Sequence, residues 1–204
     1  MYVIAFTFFA LLNNSCVKED LSKISSDFNW KAALSLPVSS ITMNSENYRG
    51  GISLISMYNM IGMVIYTETI DFNLSDIFIE SEYVDSLLFR LDIHNDFPAE
   101  IEVFAYYMND KGQIVRNVIS DNSLTIDRPT IDDEGNITKS NQIIHDERFT
   151  KTDIPDLLET KQILLRVFIR DMDLRPEVVN KIDDFDINIS VGLRSSVNIP
   201  LDEI

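Results

Sequence analysis

The chain has 204 residues, 33 of them acidic and 17 basic, for a net charge of −16. A single cysteine excludes a disulfide framework and a multi-cysteine metal cluster, and two histidines exclude a histidine-rich metal centre. The acidic balance argues against nucleic-acid binding, because phosphate would be repelled, and an apolar fraction of 45% with 25% charged residues excludes wholesale disorder.

Residues 1–16 read MYVIAFTFFALLNNSC and carry no charge. From Val3 to Leu12 the run is apolar apart from Thr7. About ten such residues are half of what a bilayer span needs, and they match the core of a secretory signal peptide. Ser15 places a small residue ahead of Cys16, the one cysteine of the chain. The arrangement resembles a bacterial lipoprotein signal, which implies a cut after residue 15 and a lipidated Cys16 at the head of the mature chain. The residues alone also allow a buried N-terminal strand with a packed free cysteine.

The stretch Val17-Lys18-Glu19-Asp20 resembles the surface-export signal of Bacteroidota lipoproteins. Asp27-Phe28-Asn29-Trp30, running on to Ser35-Leu36-Pro37-Val38, resembles the aromatic, tryptophan and apolar-Pro-apolar entry of a group of Bacteroidota cell-envelope lipoproteins. The resemblance implies a signal peptide over 1–15, a lipidated cysteine and tether over 16–27, and one domain over 28–204. It also implies an outer-membrane or cell-surface location, with the membrane as a partner through acyl chains; two chains anchor stably where one is marginal. A first strand with Trp30 in the core is compatible with it.

Further along, the apolar segment 52–79, with Gly62 inside it, reads as two strands or as a strand and a helix. Strict alternation then marks strands with one buried face. Leu87, Phe89, Leu91 and Ile93 form one such row, and Ile101, Val103, Ala105 and Tyr107 a second, joined through Asn95-Asp96-Phe97-Pro98. Asn109-Asp110-Lys111-Gly112 is a turn whose glycine takes positive φ at little cost, before the apolar run Ile114 to Ile119. A third turn, Asp132-Asp133-Glu134-Gly135-Asn136, follows the stretch from Leu124 to Ile131.

Thr152 to Leu158 has helix-start chemistry with an early proline, and Arg175-Pro176 opens a second short helix. Between and after them, Ile163, Leu165, Val167 and Ile169, then Phe185, Ile187, Ile189, Val191 and Leu193, alternate with residues of the other face. Short strands and regular turns predict a mostly β chain, an antiparallel β-sandwich of immunoglobulin-like or related type with one or two short helices bridging the sheets.

Chemistry for catalysis is sparse. A Cys-His pair is excluded where Cys16 is lipidated. A Ser-His-Asp site would need His94 or His145, and no Gly-x-Ser-x-Gly motif accompanies them; both read as surface histidines. Among 33 acids some pairs fall close by chance, so paired carboxylates alone do not make a glycosidase. The clusters Asp132-Asp133-Glu134 and Asp183-Asp184-Asp186 lack the calcium-loop spacing and read as solvated turns. No catalytic residue, metal or cofactor is expected.

The aromatic pattern is more informative. If Leu87, Phe89 and Leu91 face the core, Phe104 and Tyr106 on the adjacent strand face out, with Met108 beyond them. Such residues form a platform for stacking sugars or a protein interface, unless the N-terminal strand or the segment 137–149 covers them. The expected role is therefore binding or structural support without catalysis, with a polysaccharide or another envelope protein as partner. The alternative is an interaction subunit of an envelope or fimbria-like assembly.

Overall fold

The computed structural model describes residues 29–48, 53–73, 75 and 83–200. The expected signal peptide, the expected tether and Cys16 lie outside the described residues. Lys31–Asn198 form one structural unit. A second comprises residues 1–30 and 199–204, and of it only the strand ends at 29–30 and 199–200 are described. Trp30 falls in the first strand, with its side chain outside the described set.

The main strands are β1 (Asn29–Asn44), β2 (Val64–Asp71), β3 (Val84–Asn95), β4 (Glu100–Met108), β5 (Ile114–Asn117), β9 (Asn141–Thr150), β10 (Gln162–Arg170) and β11 (Asp186–Pro200). Shorter strands are β6 (Leu124–Ile126), β7 (Thr130–Ile131) and β8 (Ile137–Lys139). Sheet I has the order β1-β11-β3-β9 and sheet II the order β2-β10-β4-β5, with β6 also against β4. The paired strands are antiparallel: β3 with β9 and β11, β10 with β2 and β4, β4 with β5 and β6, and β7 with β8. The sandwich is of the related kind: this strand order is that of a jelly roll. Nearly every connection between main strands crosses from one sheet to the other, and β4–β5 is the one local hairpin among them.

Alternation explains the core. The inward rows of β3 and β11 meet those of β4 and β10, and Leu87, Phe89, Leu91, Ile93, Ile101, Val103, Ala105, Ile163, Leu165, Val167 and Ile169 are all buried. Tyr107 sits among Phe72, Phe89 and Phe149, with ring centroids 5.8–6.2 Å away. Burial pushes its phenol far above the usual range.

The ambiguous segment resolves into a helix followed by a strand. Helix α1 (Leu54–Ile61) is capped by Ser53, whose hydroxyl accepts from the Ser56 amide at 3.3 Å. It stops at Gly62, left-handed at φ +72°, whose amide returns to the Tyr58 carbonyl. The two helices expected further along are α2 (Ile154–Leu158), crossing from β9 to β10, and α3 (Pro176–Val179), crossing from β10 to β11. A 3-10 turn (Ile182–Asp184) follows α3. The stretch from Leu124 to Ile131 holds two short strands, separated by residues 127–129.

The link Asn95–Ala99 is the crossing from sheet I to sheet II. Asn95 is fully buried, and its amide group donates to the Ala99 and Asp127 carbonyls, both at 2.9 Å. Its oxygen accepts from the Phe97 amide at 3.1 Å. Truncating it strands the Ala99 carbonyl and the Phe97 amide and leaves the Asp127 carbonyl to Asn141, each unmade bond costing about 1–3 kcal/mol. Asn95→Ala should therefore destabilise the fold by about 3 kcal/mol, read as a lower denaturation midpoint with an unchanged slope; a loss under about 1 kcal/mol would show that water replaces the clasp.

Candidate ligand platform on sheet II

Cross-strand register lays out the outer face of sheet II as a grid. Phe168 of β10 stands between Ile65 of β2 and Glu102 of β4; Arg166 stands between Thr67 and Phe104; Leu164 stands between Thr69 and Tyr106. Each row follows from the period of two, which sends the even-numbered residues of β4 and β10 outward when the odd-numbered ones fill the core.

The aromatic residues form one cluster. Phe104 and Tyr106 are nearly parallel, 10° apart in plane with centroids separated by 6.4 Å, close to the two-residue repeat of a strand. Phe168 meets Phe104 edge-on at 5.2 Å. Two guanidiniums flank the rings: Arg166 lies 5.9 Å from the Tyr106 centroid and Arg170 5.8 Å from that of Phe168. Arg170 is also paired with Glu102 at 2.6 Å, and Glu102 accepts from the Ser123 hydroxyl at 2.8 Å. All three rings are half-buried and Arg166 is exposed. The arrangement offers aromatic surface for stacking and guanidinium donors beside it.

The two residues singled out from the sequence, Phe104 and Tyr106, thus do lie on an outer face, with three corrections. Their strand is not adjacent to the one bearing Leu87, Phe89 and Leu91; β3 and β4 belong to opposite sheets. Met108 continues their row, opposite Gln162 in unbroken register with β10, but it is buried rather than exposed. Of the expected covers, the described N-terminal strand β1 and 141–150 (β9) belong to sheet I and 137–139 pairs with β7, while residues 1–28 lie outside the described residues. The neighbours of the rings are instead Arg166 and Phe168, whose outward placement is legible in the alternation of β10.

The other candidate groups serve the fold. His94 is on the outer row of β3, 3.5 Å from Asp92. His145 is not a surface residue but lies in the inward row of β9, half-buried, with Nε2 3.0 Å from Glu147. Glu147 in turn accepts from the Ser120 amide at 3.2 Å, tying edge strand β9 to the loop after β5.

Asp132 turns its carboxylate onto its own loop, accepting from the Glu134 and Asn136 amides, which hold its pKa below the usual range. That turn docks on the α3 region: Arg175 donates to the Asp132 carbonyl, and Lys181 to the Glu134 carbonyl and Asn136. Gly135, at φ +80°, fits there because a Cβ would stand 2.5 Å from the Glu177 carbonyl oxygen. Asp183 takes the Ser45 hydroxyl, and Asp186 accepts from Asn188. No group of three or more His, Cys, Asp or Glu side chains converges among the described residues.

Asp153, at the start of α2, accepts from Arg116 at 2.7 Å and from the amide and hydroxyl of Thr150. The Arg116 bond and then the Thr150 bonds hold its carboxyl down at about 2. Arg116 also covers Phe149, 5.1 Å from its centroid.

No protein-family model and no curated protein sequence matches the chain. Among solved structures, a Parabacteroides distasonis ATCC 8503 protein inferred to be secreted aligns over 65% of this chain and 38% of its own, with 14% identity and a TM-score of 0.45. The infectious bursal disease virus VP2 subviral particle aligns over 82% of this chain and 33% of its own, with 12% identity and a TM-score of 0.33. A Desmodium yellow mottle tymovirus chain aligns over 84% of this chain and 91% of its own, with 11% identity and a TM-score of 0.32. This chain spans well under half the length of the first two. Likenesses this distant assign neither a family nor an activity.

The Asp153 tie has a pH signature. Its folded pKa lies below the ordinary 3.8, so its contribution is complete above about pH 4 and is lost as pH falls through about 2. Asp153→Asn should lower stability at neutral pH by up to ~1 kcal/mol, since the pair is partly solvated. Denaturant melts of the two proteins should converge near pH 2; a gap of constant size would assign the effect to something other than the carboxylate.

Proposed function

We propose that the chain is a non-enzymatic, lipid-anchored cell-envelope protein whose sandwich body binds glycan through the outer face of sheet II. The observation that carries this reading is the cluster of Phe104, Tyr106 and Phe168 with Arg166 beside it. Aromatic rings present apolar faces to the C–H faces of sugars, and a guanidinium donates to hydroxyl or carboxylate oxygens. The non-enzymatic part rests on where the candidate acids and histidines go: turns, strand ties and a helix start.

Export and anchoring rest on residues 1–16 and on Cys16. Among the described residues no helix is long and apolar enough to cross a membrane, which is compatible with attachment through acyl chains at the outer membrane or cell surface. The second reading, an interaction subunit of an envelope assembly, draws support from β1. It is the outer strand of sheet I, with Leu34 and Leu36 exposed, and open strand edges pair with other chains.

In affinity gels, Tyr106→Ala should abolish retention by an embedded polysaccharide while the melting temperature stays within a few degrees. If Tyr106→Ala and Phe168→Ala are both retained like the native chain, the platform has no part in binding. Cells fed labelled fatty acid should label the native chain and not Cys16→Ser; an unlabelled native chain would remove the anchor.

A further inference from the structure

We infer that the outer face of sheet I carries a separate docking groove, seated over Gly192, for an extended peptide segment of a partner protein that presents an aliphatic residue followed two places on by an acidic one. The groove has a volume of about 430 Å³ and is walled by Leu36, Pro37 and Leu88, with Gly192 as its floor and Arg194 at one end.

Gly192 has no structural reason to be glycine. It lies inside β11 between buried Val191 and Leu193. Its φ is outside the left-handed region, and a Cβ would meet only the Leu36 carbonyl oxygen at 3.9 Å, an ordinary contact. Glycine weakens a strand interior, and where neither a turn nor a bulge explains it, it marks a place where something approaches the backbone.

Charge decides what approaches. Arg194 is opposite Leu88, and Leu88 is opposite Arg148, so one aliphatic side chain stands between two guanidiniums across three strands. Both arginines are exposed, and neither has a carboxylate within ion-pair distance among the described residues. Arg90, opposite Gly192, is by contrast engaged by Asp146 at 2.6 Å. At the other end Asp92 accepts from Gln142 at 2.7 Å, beside Ser190, which disfavours an acid there. Against a net charge of −16, the Arg194–Arg148 end is a local reversal, and it selects where on this chain an acid can land.

Spacing joins the two features. Gly192 and Arg194 are two residues apart along one strand, about 6.7 Å, which is also the distance between side chains i and i+2 of an extended peptide. An aliphatic side chain filling the space over Gly192 therefore carries an acid at i+2 to Arg194. A guanidinium fork donates two parallel hydrogen bonds to a carboxylate.

The test is amide NMR of the native chain titrated with the capped peptide Gly-Ser-Leu-Ser-Glu-Ser-Gly. Saturable shifts centred on Leu88, Gly192 and Arg194 are expected. The same peptide with Lys in place of Glu, or with Gly in place of Leu, should bind at least tenfold more weakly. Gly192→Val, which fills the groove and suits a strand, should keep or raise the melting temperature and lose binding at least tenfold. Arg194→Gln should lose it while leaving the groove open, and serves alone if the valine variant fails to fold. No saturable shift, equal binding by the lysine peptide, undiminished binding by a folded variant, or shifts centred on Phe104 and Tyr106 would each overturn the proposal.

Discussion

The fold turns on how the chain gets from one sheet to the other without leaving a buried backbone group unpaired. The Asn95 side chain does this at the first crossing between the central strands, acting as donor twice and acceptor once in a turn where it, Phe97 and Ala99 are fully buried. Around it the turn gathers the rest of the molecule: the Asp96 amide reaches the Asp186 carbonyl at the start of β11, and the Asp173 amide reaches the Pro98 carbonyl after β10. Asn141 at the start of β9 bonds the same Asp127 carbonyl that Asn95 holds. Together these bonds tie β3, β4, β6, β9 and β11 at a single corner, and a satisfied polar cluster in low dielectric is worth more than its separate bonds.

That corner sets which residues are outside. With β3 and β4 fixed on opposite sheets, the period of two leaves each sheet one outward row per strand, and the two outer faces have different chemistry. Sheet II presents Phe104, Tyr106 and Phe168 around Arg166. Sheet I presents a glycine floor with aliphatic walls and two arginines that have no acid partner among the described residues. The first face suits a ligand with flat apolar surfaces, the second an extended chain with alternating side chains. Because both faces share a core but no surface residue, ligands on them need not compete.

Much of this was legible in the residues. Every inward row expected from alternation in β3, β4, β10 and β11 is buried, since burying one face admits no slip of register. Glycines 112 and 135 take the positive φ that their turns require. The partners of each strand were not legible. In a jelly roll, neighbours in space are far apart in sequence, so Asn95–Pro98 looks like a local turn and is a crossing between sheets. The same cause put Phe104 beside the wrong strand in the sequence reading. Helix α1 was hidden because its apolar residues fit either period, and only its Ser53 cap and Gly62 stop distinguish it. Met108 keeps the outer register that alternation gives it, but its burial depends on neighbours that alternation does not show.

The acidity of the chain also reads differently once the turns are seen. Asp132, Asp146, Asp153 and Asp173 all have pKa values below the ordinary range, and in each the leading cause is a hydrogen bond from a nearby donor rather than a diffuse field. For Asp146, Asp153 and Asp173 that donor is an arginine, Arg90, Arg116 or Arg175. Acids placed at turns and strand edges recruit the chain's few arginines as local staples, which is why an arginine with no such acid stands out. Among the described residues Arg166, Arg148 and Arg194 are three of these, and all lie on outer sheet faces rather than at turns. In a protein this acidic, a cation left unpaired in the middle of a sheet face is the feature that structural duty does not account for, and both proposed binding faces are built around one.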